Sequence, residues 1–261
     1  MTSPMPALFI GHGSPMLAVT ENPYRAAWSR IGEALPRPRA ILCVSAHWVT
    51  EGTRVAITAQ PQTIHDFGGF PRELYEQRYP APGAPDLARR LPGHVTSTVV
   101  APDDAWGLDH GAWCVLQSLF PAADVPVCQL SLDARLSVQG HLELGRELAA
   151  LRNEGVLVLG SGNVVHNLRR MRPGGDPYDW AVEFDAYVRR AVETGYDDAL
   201  VDFVLAGESA ALSVPTTEHY LPLLYAVGAR HAGECPSFPV SGFDLGSLSM
   251  LSVAFGVPGL S

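Results

Sequence analysis

The chain has 261 residues, 47% of them hydrophobic and 17% charged, a balance that buries a substantial core and excludes a disordered protein. Eighteen basic against 27 acidic residues leave a formal charge of −9, which excludes a general electrostatic pull toward nucleic acid or anionic lipid. Apolar runs are too short to span a bilayer, no basic residue precedes Arg25, and the four cysteines (Cys43, Cys114, Cys128, Cys235) form no CxxC pair, so a reduced, cytoplasmic protein without membrane contact is expected.

Ala7–Ile10 reads as a first buried strand. A helix is predicted over Asn22–Leu35, with Pro23 near its start where a missing N–H does no harm. Strands are expected at Ala40–Ser45, Arg54–Thr58, Val95–Ala101 and Val125–Leu130. Leu144, Leu148 and Leu151 fall at helical spacing within Leu136–Arg152, and Gly155 is placed to end that helix. Val156–Leu159 is the next strand. In Tyr178–Ala206, Trp180, Phe184, Tyr187, Val188 and Ala191 share one helical face, and Gly195 divides the stretch in two. A polar loop at Pro215–Pro222 opens an apolar helix, and a last strand lies within Ser247–Phe255. Strands alternating with helices predict an α/β fold, with a central mostly parallel or mixed sheet flanked by helices. No repeat or linker interrupts the chain, so residues 1–261 are expected to form a single domain.

The nine histidines carry the functional signal. His12 lies in Gly11-His-Gly-Ser-Pro15 just beyond the first strand, and His47 closes the strand ending Ser45-Ala-His-Trp48. His166 follows the strand at Val156 through Gly160-Ser-Gly-Asn163, and His219 belongs to the loop that opens the apolar helix. Ligands of open α/β sheets gather beyond the carboxyl ends of strands, so these residues can converge although far apart in sequence. A single such histidine is readily explained as a hydrogen-bonded structural residue; four at Gly- or Pro-flanked element ends favour a metal, and imidazole suits Zn and Fe. His65 and His110 lie in loops rich in Gly and aromatics, where they either line a small-molecule pocket or close turns. His94, His141 and His231 occupy unremarkable turn and helix positions. No arginine cluster marks a carboxylate-binding surface.

Several motifs fail. Gly160-Ser-Gly-Asn-Val-Val165 has Val165 where a dinucleotide fingerprint needs its third glycine, and no Lys-Ser/Thr follows to make a phosphate loop. There is neither a GxSxG elbow nor an HExxH helix.

Six segments in order resemble the class III extradiol ring-cleaving dioxygenases, in the 4,5-DOPA dioxygenase-like branch. They are Gly11–Pro15, Ser45–Trp48, His65-Asp-Phe-Gly-Gly-Phe-Pro71, Gly107-Leu-Asp-His-Gly-Ala-Trp113, Gly160–Asn163 with His166-Asn167, and Glu218-His-Tyr220. The resemblance implies one catalytic domain with a single metal at the C-terminal ends of the strands, opening a catechol with Fe(II) and O2. It implies His12, His47 and His219 as metal ligands, with His219 standing where much of the class has a glutamate. It implies His166 as a proton-transfer residue or a fourth metal contact, and His110 as a second catalytic histidine beside substrate and O2. His65, Phe70 and Trp48 are expected at the substrate, with Trp113 either there or in the core.

The chemistry is coherent. A +2 ion lowers the pKa of catechol hydroxyls, and a neutral histidine can take the proton released. A protonated histidine can stabilise charge on reduced oxygen. Both oxygen atoms end in the product, so no nicotinamide or flavin is required. Three histidines with water is also a zinc arrangement, which leaves a zinc hydrolase, or a binding protein of the same fold, as alternatives.

Overall fold

In the computed structural model, which describes residues 3–257 and 259, the apolar strand segments run side by side, and all but the half-buried edge strand Pro236–Val240 are covered on both faces. They are β1 (Ala7–Gly11), β2 (Ala40–Ser45), β3 (Val127–Gln129), β4 (Val156–Gly162), β5 (Pro236–Val240) and β6 (Ser252–Phe255). The six form one sheet in the order β3-β2-β4-β1-β6-β5. β3, β2, β4 and β1 are parallel, whereas β6 runs antiparallel to β1 and β5 antiparallel to β6. The sheet is therefore mixed with a parallel centre, as expected.

The alternation of strand side chains divides the core in two. Phe9 and Leu42 face α3 (Val138–Arg152), α4 (Asp179–Thr194) and α5 (Leu221–Gly228), joining Leu148, Phe184 and Leu224. Leu8, Ile10 and Ile41 face α1 (Pro23–Ala34) and α2 (His110–Leu119), joining Trp28, Ile31 and Leu116. Local signals set the helix ends. Asn22 caps α1 by accepting from the Arg25 N–H, Ser137 caps α3 by accepting from Gly140, and Gly195 ends α4 in the left-handed conformation at φ 67°. Beyond Gly195 only a short helix, Asp197–Val201, and a 3₁₀ turn, Phe203–Ala206, continue the stretch.

Two expectations need correction. Val95–Ala101 is not a strand: only Ala101–Asp103 is extended, and it pairs with Arg54–Ala56 in a separate two-stranded ribbon. Val95 and Val100 are buried as single anchors while Val99 is exposed, so the valines pack a loop. His110 does not lie in a loop but opens α2, because the Asp109 carboxylate accepts from the Ala112 N–H and caps that helix.

The sheet delivers three histidines to one end. His12 directly follows β1, His47 lies two residues past β2, and His166 four past β4. His219 arrives from the opposite layer, two residues before α5. Its close approach requires glycine at 162, where a Cβ would overlap the His219 carbonyl oxygen. Among the described residues no helix is long and apolar enough to cross a membrane.

Candidate active site

The rings of His12, His47 and His219 form a near-equilateral triangle, with centroids 5.1, 5.3 and 5.0 Å apart. Each ring has a neighbour at Nδ1. His12 Nδ1 lies 3.0 Å from Ser161 Oγ, His47 Nδ1 is 3.2 Å from Asp66 Oδ2, and His219 Nδ1 is 3.1 Å from Glu218 Oε1. A carboxylate at Nδ1 favours the proton there and leaves the Nε2 lone pair free, the arrangement that typically orients a metal-binding histidine. His12 Nε2 and His47 Nε2 are 3.3 Å apart, and His219 Nε2 is buried without a protein partner. Two nitrogens held tetrahedrally at about 2.0–2.1 Å from one ion are about 3.3 Å apart. The donor set therefore fits a divalent metal.

Electrostatics agree. Burial, and after it the neighbouring imidazoles, hold His12 and His219 well below the ordinary histidine pKa. Both are neutral and offer lone pairs at pH 7.

Two further histidines border the triangle. The His110 ring is 3.8 Å from that of His47, and its Nδ1 is 3.0 Å from Asp66 Oδ1, though not aligned as a hydrogen bond. Asp66 Oδ1 also accepts the His110 backbone N–H at 2.9 Å. One carboxylate thus serves two site histidines. Burial raises the Asp66 pKa, but its contacts with His110 and His47 outweigh this and hold it below the carboxylate range. Burial lowers His110 against the opposing pull of Asp66. His166 stacks flat on His219, with centroids 3.4 Å apart and ring planes 5° from parallel. Burial lowers its pKa to about 4 despite Glu218 nearby. By mutual proximity of donor atoms the residues fall into two groups, His12 with His47 and His110, and His166 with Glu218 and His219.

These residues floor a cavity of about 400 Å³. Phe67, Phe70, Leu168, Met171, Leu245 and Leu248 supply an apolar wall, which excludes water and accepts an aromatic ring. A larger hollow, about 540 Å³, lies at the other end of the sheet beside Arg39, Arg90 and Glu154, away from all five site histidines.

Of the residues expected at the substrate, Phe70 lines the cavity. Trp48 and His65 do not. Trp48 is buried and stacked on Trp106, with centroids 5.4 Å apart. His65 Nε2 lies 3.1 Å from the Gln77 carbonyl, behind Phe67. Trp113 belongs to the core and donates to the Ile64 carbonyl. Sequence reasoning missed Asp66, Phe67 and Ser161. Asp66 and Phe67 lie inside the quoted His65–Pro71 segment, where the neighbouring histidine and Phe70 drew the attention.

Residues 6–232 match the family model described as the catalytic LigB subunit of aromatic ring-opening dioxygenase. The chain is 51% identical over 258 residues to a 4,5-DOPA dioxygenase extradiol of Escherichia coli (strain K12), covering 97% of this chain and 95% of that one. It is 36% identical over 254 residues to a protein of the same name from Beta vulgaris, covering 95% of each. A crystal structure of an uncharacterized protein from Escherichia coli K12 superposes with a TM-score of 0.84 at 46% identity, covering 97% of this chain and all of that one. With this fold and this match, the chain belongs to the LigB family of class III extradiol dioxygenases, enzymes that open aromatic rings.

Proposed function

We propose that this protein opens a catechol ring beside its two hydroxyls, with His12, His47 and His219 as the metal ligands. A DOPA-like catechol is the substrate class suggested by the relatives' names. The observation that supports the reading is the approach of His12 and His47 Nε2 to 3.3 Å, with the His219 ring centroid 5.3 and 5.0 Å from theirs and its Nε2 buried without a protein partner. Fe(II) is the metal assigned to turnover, while Zn suits the same imidazoles without O2 chemistry of its own. When bound, the ion supplies Lewis acidity toward the catechol oxygens and a shared binding point for catechol and O2.

The protein's own residues do the rest. Phe67 and Phe70 hold the ring by apolar contact and keep bulk water out. His166, neutral at pH 7, accepts a proton from a catechol hydroxyl. Asp66 orients His110, which receives the second proton and, once charged, stabilises developing negative charge on oxygen. Both oxygen atoms enter the product, so the residues need pass on only protons.

The test is O2 uptake by protein loaded anaerobically with Fe(II) and offered a panel of catechols. Uptake with a ring-opened product absorbing in the near-ultraviolet or visible is expected. Bond hydrolysis without O2 uptake would replace this reading with a zinc hydrolase.

A further inference from the structure

Among the described residues, two that are not glycine hold a positive φ, Ala123 at 49° and Leu245 at 50°. L-residues avoid this region because Cβ crowds the backbone carbonyl, and a bulky side chain there is a genuine outlier. Ala123 packs against the half of the core that contains Trp28. Leu245 belongs to neither half, so no core burial offsets its strain.

Leu245 begins the turn between two paired segments, Phe243–Asp244 and Leu248–Ser249, and Gly246 follows at φ 70°. Successive positive φ angles in a hairpin turn ordinarily call for Asn-Gly or Gly-Gly. The backbone is held in this form from outside. The Arg172 N–H donates to the Leu245 carbonyl at 2.7 Å, the Tyr178 N–H to the Gly246 carbonyl at 3.1 Å, and Ser247 Oγ to the Asn167 carbonyl at 2.9 Å. None of these bonds uses the Leu245 side chain, so glycine or asparagine at 245 would keep them all. The turn therefore requires the conformation and not the leucine. Strain of this kind persists where the strained residue serves a site.

The site is at hand, because Leu245 lines the active-site cavity together with Leu168, Met171 and Leu248. Leu248 is buried and bridges to His166 at the histidine floor, whereas Leu168 and Met171 are 53% and 46% exposed at the mouth. Leu245 is half-buried, and its carbonyl is tied to Arg172, the residue after Met171. It stands on the mouth side of Leu248. A catechol that turns its hydroxyls to the histidines brings the far edge of its ring toward this position. We propose that Leu245 is a specificity-determining residue, which limits the bulk that a catechol can carry on the ring edge away from its hydroxyls. The turn tolerates its strain to place a branched aliphatic side chain there. This rests on the catechol reading above and adds a size limit to it.

The experiment compares the parent chain with Leu245→Ala and Leu245→Gly in two measurements. In urea unfolding, the glycine variant should be more stable than the alanine variant, by about fivefold in the folding equilibrium constant, the reverse of the order at ordinary positions. In anaerobic titrations of metal-loaded protein with 4-methylcatechol and 4-tert-butylcatechol, the parent should favour the smaller compound. Both variants should shift the affinity ratio toward the bulkier one by about tenfold, the scale on which an apolar pocket responds to a small change of bulk. An alanine variant as stable as the glycine variant would remove the strain and overturn the inference. So would an affinity ratio unchanged in both variants, and either result leaves the catechol reading intact. Failure of both compounds to bind the parent would overturn the catechol reading and this inference with it.

Discussion

His12 Nε2 and His47 Nε2 face each other at 3.3 Å, although 35 residues separate them in the chain. Both rings are turned by a partner at the far nitrogen, Ser161 for His12 and Asp66 for His47. Nε2 lone pairs that face each other at this distance repel, and a cation shared between them removes the repulsion. Loss of any one ligand leaves a poorly held ion. His12→Ala, His47→Ala and His219→Ala proteins should each retain little metal after dialysis, by elemental analysis. Full occupancy in any one of them would remove that residue from the ligand set.

Asp66 acts through the two histidines it touches. In Asp66→Asn one anionic oxygen is replaced by an amide, so the site can no longer present charge to both His47 and His110. Loss of such an orienting carboxylate typically costs about 10–100-fold in metal affinity or activity. Chelator competition and kcat measured on the same sample should show that loss, and a variant with both values unchanged would reduce Asp66 to a loop residue.

His166 is the proposed base, and its replacement separates proton transfer from ligation. His166→Gln should lower turnover by about 10²–10⁴-fold while metal content stays at the parent level. Loss of metal together with activity would make His166 a fourth ligand instead. Normal turnover would remove it from both roles.

Away from the site, His141 sets part of the acid sensitivity. It is buried on α3, its Nδ1 lies 2.9 Å from the Tyr225 hydroxyl, and burial lowers its pKa to about 4. The unfolded chain takes up this proton near pH 6.5, whereas the native state stays neutral down to about pH 4. Between those values the unfolded state holds more protons, so stability falls as pH falls, by at most about 3 kcal/mol from this group. Denaturant unfolding of the metal-free protein across pH 4–6.5 should show the slope, and His141→Gln should flatten it. An unchanged slope in the variant would place the acid sensitivity elsewhere.

The sheet strands were legible because a doubly covered strand is an unbroken apolar run: Ala40–Ser45 is buried throughout and matches its expected bounds. Val95–Ala101 misled because valines also anchor loops, and a lone segment does not reveal whether it has a ladder partner. His12, His47, His166 and His219 could be singled out because each stands just outside a predicted element. Asp66 could not, because its importance lies in touching His47, just past β2, and His110, at the start of α2, which only the folded chain brings within reach. Trp48 and His65 share the quoted segments with true cavity residues, but side chains of neighbouring residues point different ways, and theirs pack behind the wall.

The central claim is ring opening by dioxygen at the His12, His47 and His219 centre. Its most direct test is turnover of a catechol under ¹⁸O2 by Fe(II)-loaded protein, followed by mass spectrometry of the product. The account predicts one ring-opened product carrying both labelled oxygen atoms, with the carbonyl label read before it exchanges with water, and no such product from the His219→Ala protein. Catechol consumed without incorporation of label, or labelled product formed at parent rate by His219→Ala, would contradict it.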